Sequence, residues 1–309
     1  MAMKTQVLIV GGGLAGLTAA SLLAQQGVRC RVVERHSGTS MQYKFSGISP
    51  RSMEIFRGLG IEDEIRAQKT GDQQGGEIAR GKNLADPELV WSGAAWPDAS
   101  PFSPSQPATC DQHVLEPILR QRAEALGADT RFGVELISFE QSPTSVRAMT
   151  RRCDDGTQEA VEADYLIAAD GANGTLRDRL GVGRHGPGAL QHWMNIIFDT
   201  DLSPTLQGRR FTSCFASDIN ATITPRPGGR WLLALQYAAN DGETPESFDA
   251  ERCRELVRRG AGHMDVRADL VDARSWEVAA SIADVFRSGR CFLAGDAGAF
   301  DASHRCVWR

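Results

Sequence analysis

The chain of 309 residues has no apolar run approaching the ~18 residues that a membrane-spanning helix needs. Its N-terminus, MAMKTQVLIVGGG, lacks the charge, apolar stretch and small-residue cleavage site of a secretory signal. A cytoplasmic protein with no membrane partner is therefore expected. Positive charge is not in excess: 34 Lys and Arg stand against 39 Asp and Glu, a net charge of −5 with both signs interspersed. That excludes the basic face a nucleic-acid partner wants. The seven cysteines include no C-x-x-C pair and no Cys and His cluster at zinc-ligand spacing. No metal is expected, and most of the cysteines read as small buried hydrophobes in a reducing compartment. Internal repeats and low-complexity tracts are also missing.

What is present begins at residue 5. TQVLIV is a short apolar run of strand type. GGGLAG follows, placing Gly11, Gly13 and Gly16 as G-x-G-x-x-G. A helical pattern with Leu14, Leu17, Leu22 and Leu23 among alanines runs to Gly27, and Cys30–Val33 forms a second strand ending at Glu34. Each part has a physical task. Gly11 allows the tight turn. Gly13, without a side chain, lets a pyrophosphate approach the backbone. Gly16 lets the helix lie close on the strand. The free N–H groups and dipole of the helix N-terminus favour a diphosphate. Glu34 can accept hydrogen bonds from both ribose hydroxyls and repels a 2′-phosphate. Strand, turn, helix and distant acid together specify the ADP half of a dinucleotide. They do not separate NAD from FAD.

Further on, 49–60 reads as a helix with Ser49 as cap and Pro50 in its first turn. Residues 70–107 read as loops and short strands. Residues 111–126 form an amphipathic helix carrying Val114, Leu115, Ile118, Leu119, Ala123 and Leu126. Strands are expected at 134–139, 145–151 and 159–163, the last two joined by Asp154-Asp155-Gly156, and at 165–169, running into Asp170-Gly171. Between 183 and 275 strand patterns and aromatics (Trp193, Phe198, Phe211, Phe215, Trp231, Tyr237) dominate, interrupted by a helix from about Glu246 to Arg259. The aromatics read as sheet core more than as a substrate box. The chain returns with GRCFLAGD, a strand ending at Asp296.

Three segments in this order resemble the class A flavoprotein monooxygenases, the FAD-dependent aromatic hydroxylases. They are GGGLAGL with Glu34, YLIAADGANGTLR with Asp170, Gly171 and Arg177, and GRCFLAGDA with Gly295 and Asp296. CDQHVLEPIL resembles the family helix in which a glutamine, here Gln112, contacts the flavin. SPRSMEIFRGLGIEDEIRA and SWEVAASIADVFRSGRCFLAGDA resemble the subgroup acting on phenols and aromatic polyketides. The resemblance implies an α/β fold: a Rossmann-like FAD-binding domain with an inserted antiparallel-sheet substrate domain. The first would take residues 1–70, 108–178 and 276–309, the second 71–107 and 179–275. It implies FAD as cofactor, NADPH or NADH as electron donor, and O₂ and an aromatic small molecule as substrates. A single G-x-G-x-x-G fits a donor that binds only transiently. Candidate cofactor contacts are Gly11, Gly13, Leu14, Ala15, Gly16, Glu34, Arg35, Lys44, Gln112, Asp170, Gly171, Arg177, Gly295 and Asp296. No protein nucleophile or base is named, because the cofactor carries the hard step.

Two departures stand out. The family commonly has an arginine after the second strand where this chain has Lys44, which keeps the charge and loses the fork geometry. After Gly-Asp, the family's proline- and glycine-rich loop and long helix are replaced by AGAFDASHRCVWR. A C-terminally truncated hydroxylase is therefore expected, complete at the adenosine half of its site and incomplete at the isoalloxazine half. A non-catalytic FAD-binding remnant, or a halogenase-like flavin oxidoreductase on the same scaffold, stay open as alternatives. A simple NAD dehydrogenase is disfavoured by Asp170 and Asp296.

Overall fold

A computed structural model of the chain describes residues 2–40, 46–68, 77–92 and 98–300. They divide into two compact units. The first holds the described residues up to Gln68, Phe102–Gly188 and those from Ala280 onward; the second holds those within Lys69–Pro101 and Ala189–Ala279. In chain order the first unit opens with β1 (Met3–Val10), α1 (Leu14–Gln25), β2 (Cys30–Glu34), β3 (Gly47–Ile48), α2 (Pro50–Gly58) and α3 (Glu62–Ala67). β4 (Glu77–Gly81) and β5 (Val90–Ser92) belong to the second unit. The first resumes with β6 (Ala108–Thr109), α4 (Gln112–Ala125), β7 (Asp129–Phe132), β8 (Val134–Gln141), β9 (Val146–Arg152), β10 (Gln158–Ala168) and α5 (Leu176–Arg179). β11 (Arg184–Asp199) carries the chain into α6 (Ser203–Leu206), β12 (Phe211–Ala216), β13 (Ala221–Pro225), β14 (Arg230–Tyr237) and α7 (Ala250–Ala261). β15 (Asp269–Ala283) brings it back to β16 (Arg287–Ser288), β17 (Cys291–Leu293) and β18 (Ala299–Phe300).

The sheet of the first unit runs β16-β17-β10-β1-β2-β7, with β8 and β9 added through β9–β10 pairing. β1 is parallel to both β10 and β2, and β10 is parallel to β17. Leu8 and Ile9 of β1 are both fully buried, as a continuous apolar strand covered on two faces should be. On one face Val7, Ile9 and Val32 pack with Ala20 of α1 and Ala123 of α4. On the other, Leu8, Val10, Val33 and Leu166 pack with Val146 and Ala148 of β9. The register aligns Val10 with Val33 and Ala168, and Ala168 with Leu293. β1, β10 and β17 thus end level, with β2 one residue longer, and the loops that follow them start side by side.

Among the described residues, Arg31 is the one basic side chain fixed within this sheet's stripe of buried residues. Its side chain is 8% exposed, with Nε 2.7 Å from Asp129 and Nη1 2.6 Å from Glu159. It ties β2 to β7 and to β10. Arg31→Ala is expected to cost about 2 kcal/mol, less than a fully buried pair because both carboxylates stay partly solvated. A urea melt reads this as a lower midpoint with an unchanged slope.

Two sequence expectations need correction. The break between strands at Asp164 does not exist: β10 is one strand, pairing with β1 along most of its length and with β9 over its first half. An exposed aspartate in a long strand reads as a turn only when the neighbouring strands are unknown. The helix expected from about Glu246 begins at Ala250, where the Asp249 side chain accepts the Arg252 N–H at 2.8 Å. Pro245–Ser247 is a separate short turn.

The sheet of the second unit runs β15-β11-β14-β13-β12-β4-β5. The β11–β14, β13–β14 and β12–β13 pairs are antiparallel, while β12 and β4 run parallel. Phe198, Phe211, Trp231 and Tyr237 fill its core with Cys253, Leu256 and Val257 of α7. No helix among the described residues is long and apolar enough to cross a membrane.

Candidate functional site

Gly11 leaves β1 at φ +114°, a conformation L side chains rarely adopt, and a Cβ there would stand 2.1 Å from the Ala169 carbonyl oxygen. Gly16 lies so close to the turn that its Cβ would meet the Gly11 carbonyl at 1.9 Å. Gly13 differs. Its φ of −85° suits any residue, and the nearest atom to a Cβ would be Glu116 Oε1 at 3.8 Å. Gly13 is also the N-cap of α1, with no side chain satisfying the first-turn N–H groups and no acid in that turn. Leu14, Ala15 and Gly16 form that turn. An uncapped helix start with open space beside its cap is what an anion requires.

Glu34 ends β2 beside this turn. Its Oε2 accepts the Gly12 N–H at 2.8 Å, and its Oε1 accepts the His36 N–H at 2.9 Å and faces His36 Nδ1 at 2.6 Å. Gly12, outside the three-glycine motif, is also constrained: its Cβ would meet Glu34 Cβ at 2.8 Å and the Phe132 ring at 3.0 Å. Arg35 is exposed, and its carbonyl accepts from the Cys153 thiol at 3.3 Å.

The other two motifs reach the same end of the sheet. The Ala169 N–H donates to Val10 and the Ala294 N–H to Ala168. Asp170 follows Ala169 directly; its Oδ2 accepts the Leu176 N–H at 3.1 Å, while its Oδ1 is buried and accepts nothing from the described residues. Gly171 takes φ +82°. A Cβ at Gly174 would overlap the Asp170 carboxylate, so that glycine makes its pocket. Gly295, at φ +60°, brings its backbone against Ala15, whose Cβ would lie 2.7 Å from an added Cβ. Asp296 beside it is exposed. Gly11, Gly13, Ala15, Gly16, Glu34, Asp170 and Gly295 are thus brought to one place. Arg177 is engaged locally, with Nη1 on the Val182 carbonyl at 3.2 Å and Nη2 on Asp178 at 2.8 Å. Lys44 lies outside the described residues.

Gln112 opens α4, and its Nε2 donates to Glu116 Oε1 at 2.6 Å. Glu116 is 2% exposed, and its Oε2 accepts the Ser40 N–H at 2.7 Å. Reading the sequence for motifs missed Glu116. The available signal was a carboxylate on the same helical stripe as the buried Leu115, Leu119 and Ala123.

This set fits a bound dinucleotide. It offers a cradle that a Cβ at Gly13 would fill, uncapped N–H donors, and an orphan buried oxygen on Asp170 that calls for a hydroxyl or N–H. Burial pushes Cys30, Cys214 and Cys291 to about 11, and Cys110 to about 12, so none is a thiolate near neutral pH.

Comparison with known proteins agrees with that geometry. The profile of the FAD binding domain family matches residues 4–300. Tetracenomycin B2 monooxygenase-dioxygenase of Streptomyces olivaceus is 37% identical over 98% of this chain and 62% of its own length. Aklavinone 12-hydroxylase DnrF of Streptomyces peucetius subsp. caesius is 37% identical over 94% of this chain and 61% of its own. The crystal structure of aklavinone-11 hydroxylase with FAD and aklavinone superposes with a TM-score of 0.87 at 36% identity, over 97% of this chain and 58% of that one. The chain spans about half to three fifths of the length of the curated relatives it matches. FAD is the cofactor, and the chain belongs to the FAD binding domain family.

Proposed function

We propose that the chain serves in an FAD-dependent, NAD(P)H-using monooxygenase that hydroxylates an aromatic polyketide or other phenolic small molecule in the cytoplasm. The observation that carries this reading is the convergence of the Gly11–Gly16 turn, Asp170 and Gly295 at the level ends of β1, β10 and β17. The names of relatives, among them the tetracenomycin B2 monooxygenase-dioxygenase and the aklavinone 12-hydroxylase, support the reaction class. Bound FAD would supply the redox chemistry, passing two electrons from NAD(P)H to O₂ so that one oxygen atom reaches the ring and the other leaves as water.

The chain's own residues bind and orient. The first turn of α1 would neutralise the diphosphate, Glu34 would hold the ribose, and Asp170 and Asp296 would accept hydroxyl hydrogens. The described residues of the first unit would form the FAD-binding domain and those of the second the substrate domain. In the second unit, the sheet face opposite the core would line the substrate. There Trp193 and Trp276 stack with centroids 5.6 Å apart, and Trp276 Nε1 donates to Asn195 at 2.9 Å. The cross-strand row Asn195, Ala234, Thr222 and Phe215 continues the face. Aromatic rings beside amide and hydroxyl groups suit a planar polyphenol.

The test is NADPH oxidation and oxygen uptake by the FAD-loaded protein, with a panel of phenolic polyketides. Turnover that depends on the aromatic compound and yields a hydroxylated product is expected. FAD binding with no such turnover for any aromatic compound would favour a non-catalytic flavin-binding role. Glu34→Ala is expected to weaken FAD roughly tenfold to a hundredfold, through two lost ribose hydrogen bonds, measured by flavin fluorescence titration.

A further inference from the structure

We infer that Glu116 is a positioning residue for the cofactor, fixing the Gln112 amide so that its carbonyl oxygen, not its NH₂, is presented to the flavin nucleotide. The inference rests on the FAD reading above. A carboxylate brings no hydrogen to share, so the amide group facing it must donate. Gln112 Nε2 stands 2.6 Å from Glu116 Oε1, which commits the NH₂ end inward. Gln112 Oε1 is then left as an acceptor, matched to hydroxyl donors such as those of a ribityl chain. The second carboxylate oxygen is not idle. It accepts the Ser40 N–H at 2.7 Å and so ties α4 to the segment following β2. Downstream of Ser40 the chain is tied back to the start of α4, because the Cys110 N–H donates to Ser46 and β3 pairs with β6. Glu116 also faces the cap of α1, 3.8 Å from where a Gly13 Cβ would stand. A carboxylate 2% exposed, with both oxygens engaged, has few other arrangements open to it.

Two measurements test this. The first is flavin fluorescence titration of FAD into the wild-type chain, Gln112→Ala, Glu116→Ala and the double variant. Each single change is expected to weaken FAD about tenfold, and the double variant about tenfold as well, since both remove one coupled unit. Independent effects multiplying to about a hundredfold, or an unchanged affinity in Glu116→Ala, overturn the inference. The second is the NMR signal of the Gln112 side-chain NH₂ in the FAD-free chain, assigned by its loss in Gln112→Ala. It is expected to sit apart from solvated glutamines and to join them in Glu116→Ala, with Glu116→Asp partly restoring it. An unmoved signal overturns the inference, even where Glu116→Ala lowers the melting temperature. A wild-type chain that never quenches FAD fluorescence overturns the cofactor reading instead, and the NMR result still decides what Glu116 does.

Discussion

Gly13→Val leaves the chain folded and removes its FAD binding. The backbone at Gly13, φ −85° and ψ −170°, is ordinary for a side-chain-bearing residue, and an added Cβ meets nothing nearer than Glu116 Oε1 at 3.8 Å. The fold therefore has little reason to object. Valine is a poorer N-cap than glycine, which costs at most about 1 kcal/mol and lowers the melting midpoint by about 3 °C or less. The ligand has every reason to object. The space that valine fills lies against the uncapped first-turn N–H groups of α1, where a diphosphate must come within hydrogen-bond reach of the backbone. A clash worth about 3 kcal/mol weakens FAD roughly a hundredfold or more. Circular dichroism melting and FAD titration on the same sample separate the two effects.

Gly16→Val does the reverse and destroys the fold itself. Its Cβ would stand 1.9 Å from the Gly11 carbonyl oxygen, which is backbone and cannot swing aside. Relieving the overlap means lifting α1 from the turn. That would separate Leu17 and Ala20, both fully buried, from their neighbours. A loss of about 4 kcal/mol or more is expected, large against the usual marginal stability of a domain. The melting curve should lose its cooperative transition or move down by roughly 6 °C or more, as the size of the loss requires. A Gly16→Val protein that melts like the wild type would show that α1 does not pack on the turn as described.

The two variants explain why the opening motif was legible. G-x-G-x-x-G with a distant acid is short-range information: a turn, a helix start and the end of the next strand, all within 35 residues of sequence. Gly11 and Gly16 are glycines because of backbone contacts; the fold makes no such demand at Gly13, which the proposal assigns to a ligand, and the pattern carries both reasons at once. Asp170 and Asp296 were legible as acids that end apolar strands. What was not legible depends on contacts distant in sequence. Glu116 reaches Ser40, 76 residues away, and looks in sequence like one polar residue on an amphipathic helix. Gly12 must be glycine because Glu34 and Phe132 press on it from β2 and β7. Asp164 was left between two expected strands because only pairing with β1 shows the strand to be continuous. The aromatics of the second unit divided by face: Phe198, Phe211, Trp231 and Tyr237 went to the core, while Trp193 lies outside it, stacked on Trp276. Strand alternation determines that division once the register is known.

The most direct test of the central claim is flavin fluorescence titration of FAD into the wild-type chain and into Gly13→Val, side by side. Saturable quenching at one FAD per chain in the wild type, lost in a folded Gly13→Val, is the result predicted. Equal binding by both, or no binding by the folded wild-type chain, would contradict the assignment of this turn as the seat of the dinucleotide.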